Sequence, residues 1–271
     1  MGDDPETSAT HNDVSALVRA RAALLDHLPK DLILSRYEQA GGKEVLSGKF
    51  SNPESSASLA ANAFGLFLDQ PNILSLPTPV IPAGTVVKVS LEAQMRFPWS
   101  GGLHPWLDVA VETEDKLIGI ESKRYEPFRD TKSVSFSEAY SRPVWGDSMA
   151  PFEKMRDALA GGRTQFLFLD AAQLVKHAFG LRTQGVKLGK SATLVYLYAE
   201  PKAYPDGRLI PDDEIAGHRV EVANFTNAVS DPAAEVGFES LCYSELLAHW
   251  KNSQNEMLRN HAIALLARFD M

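Results

Sequence analysis

Two apolar runs in this sequence each carry a small number of charged residues at positions where they could share chemistry. LIGIESKR (117–124) holds Glu121 and Lys123 two residues apart, and PWLDVAVE (105–112) holds an isolated Asp108, 13 residues before Glu121. Side chains alternate along a strand, so Leu117, Gly119, Glu121 and Lys123 face one way and Ile118, Ile120 and Ser122 the other. In the preceding run Leu107, Val109 and Val111 share a face, opposite Trp106, Asp108, Ala110 and Glu112. A third run, VVKVSLEAQMRF, sets Lys88, Ser90, Glu92 and Gln94 opposite Val87, Val89, Leu91 and Ala93. One acidic position per strand can thus converge on a single spot.

Carboxylates brought together in this way are hard oxygen ligands for Mg2+ or Mn2+, and such an ion activates water and neutralises charge developing on a phosphoryl group. The ligands read from the strands are Asp108, Glu121 and Glu92. Lys123 beside them orients or deprotonates the attacking water and offsets the added negative charge of the transition state. The expectation is that alanine at Asp108, Glu121 or Lys123 abolishes cleavage and leaves the chain folded.

The bare pattern of an acid, any residue and a lysine carries no weight. Composition predicts it roughly once or twice in a chain of this size, and it occurs at Glu114/Lys116, Glu121/Lys123, Asp130/Lys132 and Glu200/Lys202. Only the Glu121 copy lies inside a strand-like run preceded by another with an isolated Asp.

The elements that must hold these residues follow from periodicity. Helix-spaced apolar residues run from Val14 to Leu28 and from Ser55 to Leu68, the second with a serine-rich start suited to capping. Three strand-like segments follow, Thr85 to Phe97, Pro105 to Glu112 and Lys116 to Tyr125, on connections short enough for an antiparallel meander. Helical stretches are predicted at Pro151 to Leu159 and Ala171 to Phe179. A strand buried on both faces is predicted at Ala192 to Ala199. Helix, strand and helix are then predicted at Asp212 to Val229, Phe238 to Tyr243 and Ser244 to Phe269. The order αβββαβ is that of an α/β fold with a mixed central sheet flanked by helices. No repeat or long linker divides the chain, so residues 1–271 read as a single domain, with residues 1–12 frayed and 13–46 an N-terminal helical extension.

Composition narrows the setting. One cysteine, Cys242, rules out an internal disulfide framework and fits a reducing compartment. The acidic N-terminus is unlike a secretory signal, and no apolar run approaches the roughly 18 residues of a membrane span, so the expected location is cytoplasmic with no membrane partner. The net charge of −8 opposes a polyanionic substrate, but residues 122–190 carry 12 Lys and Arg against 7 Asp and Glu. No zinc, P-loop or dinucleotide pattern is present, which sets aside self-powered translocation and Rossmann redox chemistry.

These residues resemble the PD-(D/E)XK nuclease superfamily, in particular an uncharacterised bacterial restriction-endonuclease-like group. The likeness runs through SGKFSNPESSASLAANAFG (47–65), PWLDVAVET, IGIESKRYEPF, FSEAY (136–140), DAAQLVKHAFGLR (170–182) and CYSELLAHW (242–250), covering most of residues 47 to 268. It implies a restriction-endonuclease-like core and catalytic roles for Asp108, Glu121 and Lys123, with Glu92 as an additional acid. It also implies a role for Gln173, because a Gln on the helix after the E-x-K strand recurs in several branches, followed four residues later by Tyr. This chain has His177 there, and Pro105 stands three residues before Asp108 instead of next to it.

Gln173 and His177 share a helix face and are assigned to the substrate rim, with His104 in the Gly101–Gly102 loop as a further rim residue. The competing reading has Asp170 cap the helix with Gln173 completing a capping box, and His177 as a surface or core histidine. The implied activity is a metal-dependent endonuclease acting on DNA, and a homodimer is compatible with it. The alternatives are a catalytically idle nucleic-acid-binding or structural module on the same fold, and a phosphoesterase acting on small molecules.

Overall fold

The computed structural model describes residues 5–40, 43–78, 85–99 and 101–270, with side chains from Asp13 onward. The chain begins with α1 (Pro5–Ala23), α2 (Lys30–Gln39) and α3 (Ser56–Phe64), and α3 runs on into a tight turn at Gly65–Leu68. The meander follows as β1 (Lys88–Gln94), β2 (Trp106–Glu112) and β3 (Lys116–Lys123). Next come the short α4 (Glu126–Arg129), α5 (Ala150–Ala160), α6 (Ala171–Leu188) and β4 (Ser191–Tyr198). The chain closes with α7 (Asp212–Val229), β5 (Val236–Cys242), α8 (Tyr243–Lys251) and α9 (Glu256–Arg268). Residues 1–4, part of the stretch expected to fray, lie outside the described residues, and α1 starts directly after them.

The five strands form one mixed sheet in the order β1-β2-β3-β4-β5. β1, β2 and β3 pair antiparallel, whereas β3, β4 and β5 pair parallel, with α6 and α7 supplying the connections that parallel neighbours require. The E-x-K strand is therefore the central one. β4 lies between two parallel partners with both faces covered, which is why its sequence is almost wholly apolar.

Two apolar layers sandwich the sheet. On one face Val109, Val111, Ile118, Ile120, Val195 and Leu197 pack against α3, α8 and α9. Ser122 shares this face, and its hydroxyl is satisfied by Tyr243 Oη at 2.8 Å. On the other face Ala110, Leu117, Leu194 and Tyr196 pack beneath α5, α6 and α7. α6 lies close on the sheet edge at Gly180, where a Cβ would stand 2.7 Å from Met95 Cβ and 2.8 Å from Pro105 Cγ.

Three details depart from the sequence reading. The long C-terminal helix is two helices, because the polar Asn252–Asn255 stretch interrupts it and Asn255 caps α9 by accepting from Leu258 N at 3.1 Å. The helix expected to end at Leu28 stops at Ala23, and α2 forms separately around the buried Ile33, Leu34 and Tyr37. Leu107 does not share a face with Val109 and Val111: it packs in the layer under α6, so the alternation of β2 breaks at Asp108. Among the described residues no helix is long and apolar enough to cross a membrane.

Candidate functional site

The break in β2 has a counterpart on β1. The ladder pairs Leu91 with Val109 and Ala93 with Leu107, but Glu92 and Asp108, which would lie between, form no pair. Glu92 sits there at φ 49°, the only non-glycine residue with positive φ among those described. A left-handed backbone at a β-carbon-bearing residue costs about 1–2 kcal/mol, so the surrounding structure must hold it in place.

Asp108, Glu121, Lys123, Glu92 and Gln173 all line one cavity of about 490 Å3. Glu121 is 2% exposed and its Oε1 accepts from Lys123 Nζ at 2.6 Å. His177, buried on α6, brings Nδ1 within 3.2 Å of Glu121 Oε2, off the line of a hydrogen bond. Asp108 Oδ2 accepts from the Ser122 backbone N–H at 2.7 Å, which ties the broken part of β2 to β3.

The electrostatics divide the three acids. Burial first, and then the neighbouring Glu121 carboxylate, push Asp108 well above the usual carboxylate range. Burial, with Glu44 and Glu121 adding repulsion, raises Glu92 to about 7. Burial would raise Glu121 too, but the Lys123 ammonium and His177 hold it below its ordinary value. Lys123 gains from Glu121 and Asp108 more than burial takes away, so it stays firmly charged. The Glu121–Lys123 pair is ionic, whereas burial and mutual repulsion both oppose ionisation of Asp108 and Glu92.

The chemistry of this donor set fits a hard divalent cation. Three carboxylates, the buried Glu121 and the partly buried Asp108 and Glu92, share one cavity, and the last two are held back from ionising by burial and by the neighbouring carboxylates. Among the described residues no three acidic, histidine or cysteine side chains are already arranged around one ion position. Glu121 is turned toward Lys123 and His177, and Asp108 toward the Ser122 amide.

The rim residues divide. Gln173 lines the cavity, and α6 is capped by Asp170, whose Oδ1 accepts from the Gln173 backbone N–H at 2.9 Å. The cap thus uses the Gln173 backbone and leaves its side chain to the cavity. Asp170→Ala is expected to cost about 1 kcal/mol in thermal melts, whereas Gln173→Ala should melt near the wild type. An equal loss of stability in both variants would return Gln173 to a purely structural role. His177 reaches the site through Glu121. His104 does not join it: its Nδ1 accepts from Phe97 N at 3.2 Å, its ring packs on Phe97, and it is not among the residues lining the cavity.

Several lining residues escaped the sequence reading. Glu44, Lys49 and Glu54 come from the α2–α3 connection, and Ser55, Ser56 and Ala57 from the start of α3. Glu126, three residues past Lys123, accepts from the Ser56 hydroxyl and from Arg124 N at 2.9 Å, which joins α3 to the end of β3. Arg129 bridges Glu54 at 2.5 Å and Asp130 at 2.7 Å. Glu126 alone had a local signal, as an acid directly after the E-x-K strand.

No family model matches the chain, and comparison with curated proteins and with solved structures finds no match to either.

Proposed function

We propose that this chain is a divalent-metal-dependent nuclease hydrolysing phosphodiester bonds, with DNA as the leading substrate, on a restriction-endonuclease-like core of the PD-(D/E)XK kind. The observation that carries this reading is the cavity at one end of the β1–β3 meander. It holds Asp108, Glu121 and Glu92 from three adjacent strands, with the charged Lys123 among them. The order of α3, the β1–β3 meander, α6 and β4 is that of the proposed core.

Asp108, Glu121 and Glu92 would hold Mg2+ or Mn2+. When bound, the ion supplies an activated water and charge neutralisation at the phosphoryl group. Lys123, fixed against Glu121 and kept protonated, acts as a charge and hydrogen-bond donor to the developing phosphoryl oxygens rather than as a base. Lys123, with His177 beside it, keeps Glu121 ionised. Seven carboxylates and three cationic side chains line the cavity, so a phosphate enters only together with divalent cations.

Asp108→Asn is the decisive variant. It should abolish Mn2+-dependent nicking of supercoiled plasmid while raising the apo melting temperature by the equivalent of roughly 1 kcal/mol, because a buried repulsion is removed. Mn2+ should stabilise the wild type by about 2.7 kcal/mol at a hundredfold excess over its dissociation constant and the variant far less. Full nicking by Asp108→Asn would overturn the assignment.

The second reading, a catalytically idle module, is favoured by the absence of a ready-made ligand arrangement among the described residues. It expects strand binding with no Mn2+-induced shift in melting and no nicking by the wild type.

A further inference from the structure

Three of the four tryptophans have aromatic neighbours. Trp145 stacks on Phe179 with ring centroids 4.4 Å apart, Trp250 packs edge-on against Phe67, and Trp99 packs against Phe97 and Trp145 beneath the Arg142 guanidinium. Trp106 differs. Among the described residues its indole pairs with no other aromatic ring and belongs to no apolar cluster. It is partly exposed, and it lines the same cavity as Asp108, Glu121 and Lys123, two residues before Asp108 on β2.

An indole is a large apolar plane, and leaving part of it in water beside a group of carboxylates forgoes the burial that Trp145 and Trp250 obtain and the aromatic packing that Trp99 has. A planar substrate group would supply what is missing. We propose that Trp106 is a stacking platform for a nucleobase next to the phosphate held at Lys123, and that the substrate is therefore a strand with an unstacked base: single-stranded DNA or a frayed end. This deepens the nuclease reading and rests on it for the position of the phosphate.

Two physical arguments select an open strand over a duplex. In an intact duplex each base is already stacked and paired, so presenting one to the indole means unpairing and unstacking it, a cost that a single strand does not bear. The cavity lining is also predominantly acidic, which denies the phosphate neutralisation that usually supplies affinity for duplex DNA. Stacking is nearly independent of that charge, and each base on an aromatic platform is worth about five- to 150-fold in affinity.

The test uses the full chain with Ca2+ in place of Mg2+ or Mn2+, so that strands bind without turnover. Labelled single-stranded oligothymidylate, alone or annealed to oligodeoxyadenylate, is followed by anisotropy, and tryptophan emission is recorded with the unlabelled strand. The single strand is expected to bind at least about tenfold tighter than the duplex and to quench emission. Trp106→Leu, which keeps apolar volume without a ring, should bind about tenfold weaker or worse, Trp106→Phe should recover most of the affinity, and neither should quench like the wild type. The Mn2+-induced shift in melting should be unchanged in both variants, showing an intact fold and ligand set.

Equal affinity of Trp106→Leu and wild type for the single strand overturns the proposal, as does a duplex bound as tightly as the strand or no strand binding by the wild type. Trp106-dependent binding without any cleavage in Mn2+ supports the stacking site and overturns the nuclease reading alone.

Discussion

Replacing Lys123 by alanine is expected to lower cleavage by about 10^2- to 10^3-fold, the usual loss when one preorganised donor to a developing oxyanion is removed, and to destabilise the apo chain by about 3 kcal/mol. The second effect departs from the simple expectation that a site residue can be removed without structural cost. Glu121 is 2% exposed, and Lys123 is its direct partner at 2.6 Å. Deleting the ammonium leaves a buried carboxylate that must take up a proton or remain uncompensated. The double variant Glu121→Gln/Lys123→Met removes both charges and should regain most of the stability, because a buried pair replaced by neutral groups of similar volume is close to neutral in cost. It should remain inactive. Plasmid nicking and urea melts on the single and double variants separate the two roles. A single variant that is as stable as the wild type would show that the pair is not held in the folded chain.

Acid should weaken the chain through two buried histidines that do not line the cavity. Burial pushes both His218 and His261 down to about 4. His218 Nε2 meets the Tyr196 hydroxyl at 2.9 Å while its Nδ1 has no partner, so protonation would add a charge and leave a polar group unsatisfied in the core. His261 Nε2 donates to the Ala63 carbonyl at 2.9 Å, which leaves Nδ1 to accept from His27 Nε2 at 2.8 Å. A proton on that Nδ1 would set two donors against each other. Both groups are depressed in the folded state, so the stability they contribute is complete above the ordinary histidine value of 6.5 and is lost as pH falls from there toward 4. Each shift is worth about 3 kcal/mol.

Glu92 runs the other way: raised from 4.5 to about 7, it removes stability as pH rises through that window. The histidine part is therefore read by difference. His218→Gln and His261→Gln should lose stability against the wild type at about pH 7.5 and recover it, relative to the wild type, at about pH 4.5. Wild-type and variant curves that stay parallel across this range would mean that the histidines do not titrate with unfolding.

Much of the sheet was legible because strands announce themselves locally. Asp108, Glu121 and Lys123 stand as polar residues inside apolar runs bounded by turns, and the observed β1, β2 and β3 fall within the predicted segments. β4 was legible as a doubly covered strand because no polar residue interrupts it between Leu194 and Tyr198. What stayed hidden depends on contacts distant in sequence. Glu44 and Lys49 reach the cavity only because α2 and α3 fold over the face of the sheet, and nothing in their own neighbourhood marks them. Leu107 left its expected face because strand periodicity assumes an unbroken ladder, and the ladder is broken where Glu92 and Asp108 meet. The missed stop between α8 and α9 is of another kind: Asn252, Ser253 and Asn255 were visible, but the apolar period on both sides outweighed them.

The left-handed backbone at Glu92 turns one codon into a readout of two separate demands. The backbone favours Gly, Asn and Asp, whose small or locally hydrogen-bonding side chains tolerate that conformation. A cation ligand would favour Glu and Asp. In a saturation library sorted for folded abundance, Gly and Asn should therefore outrank the native residue, whereas in one sorted for cleavage they should fall to the bottom. Asp alone satisfies both demands at once, and its shorter reach makes its place in the second ranking a measure of how far into the cavity the acid at this position must extend.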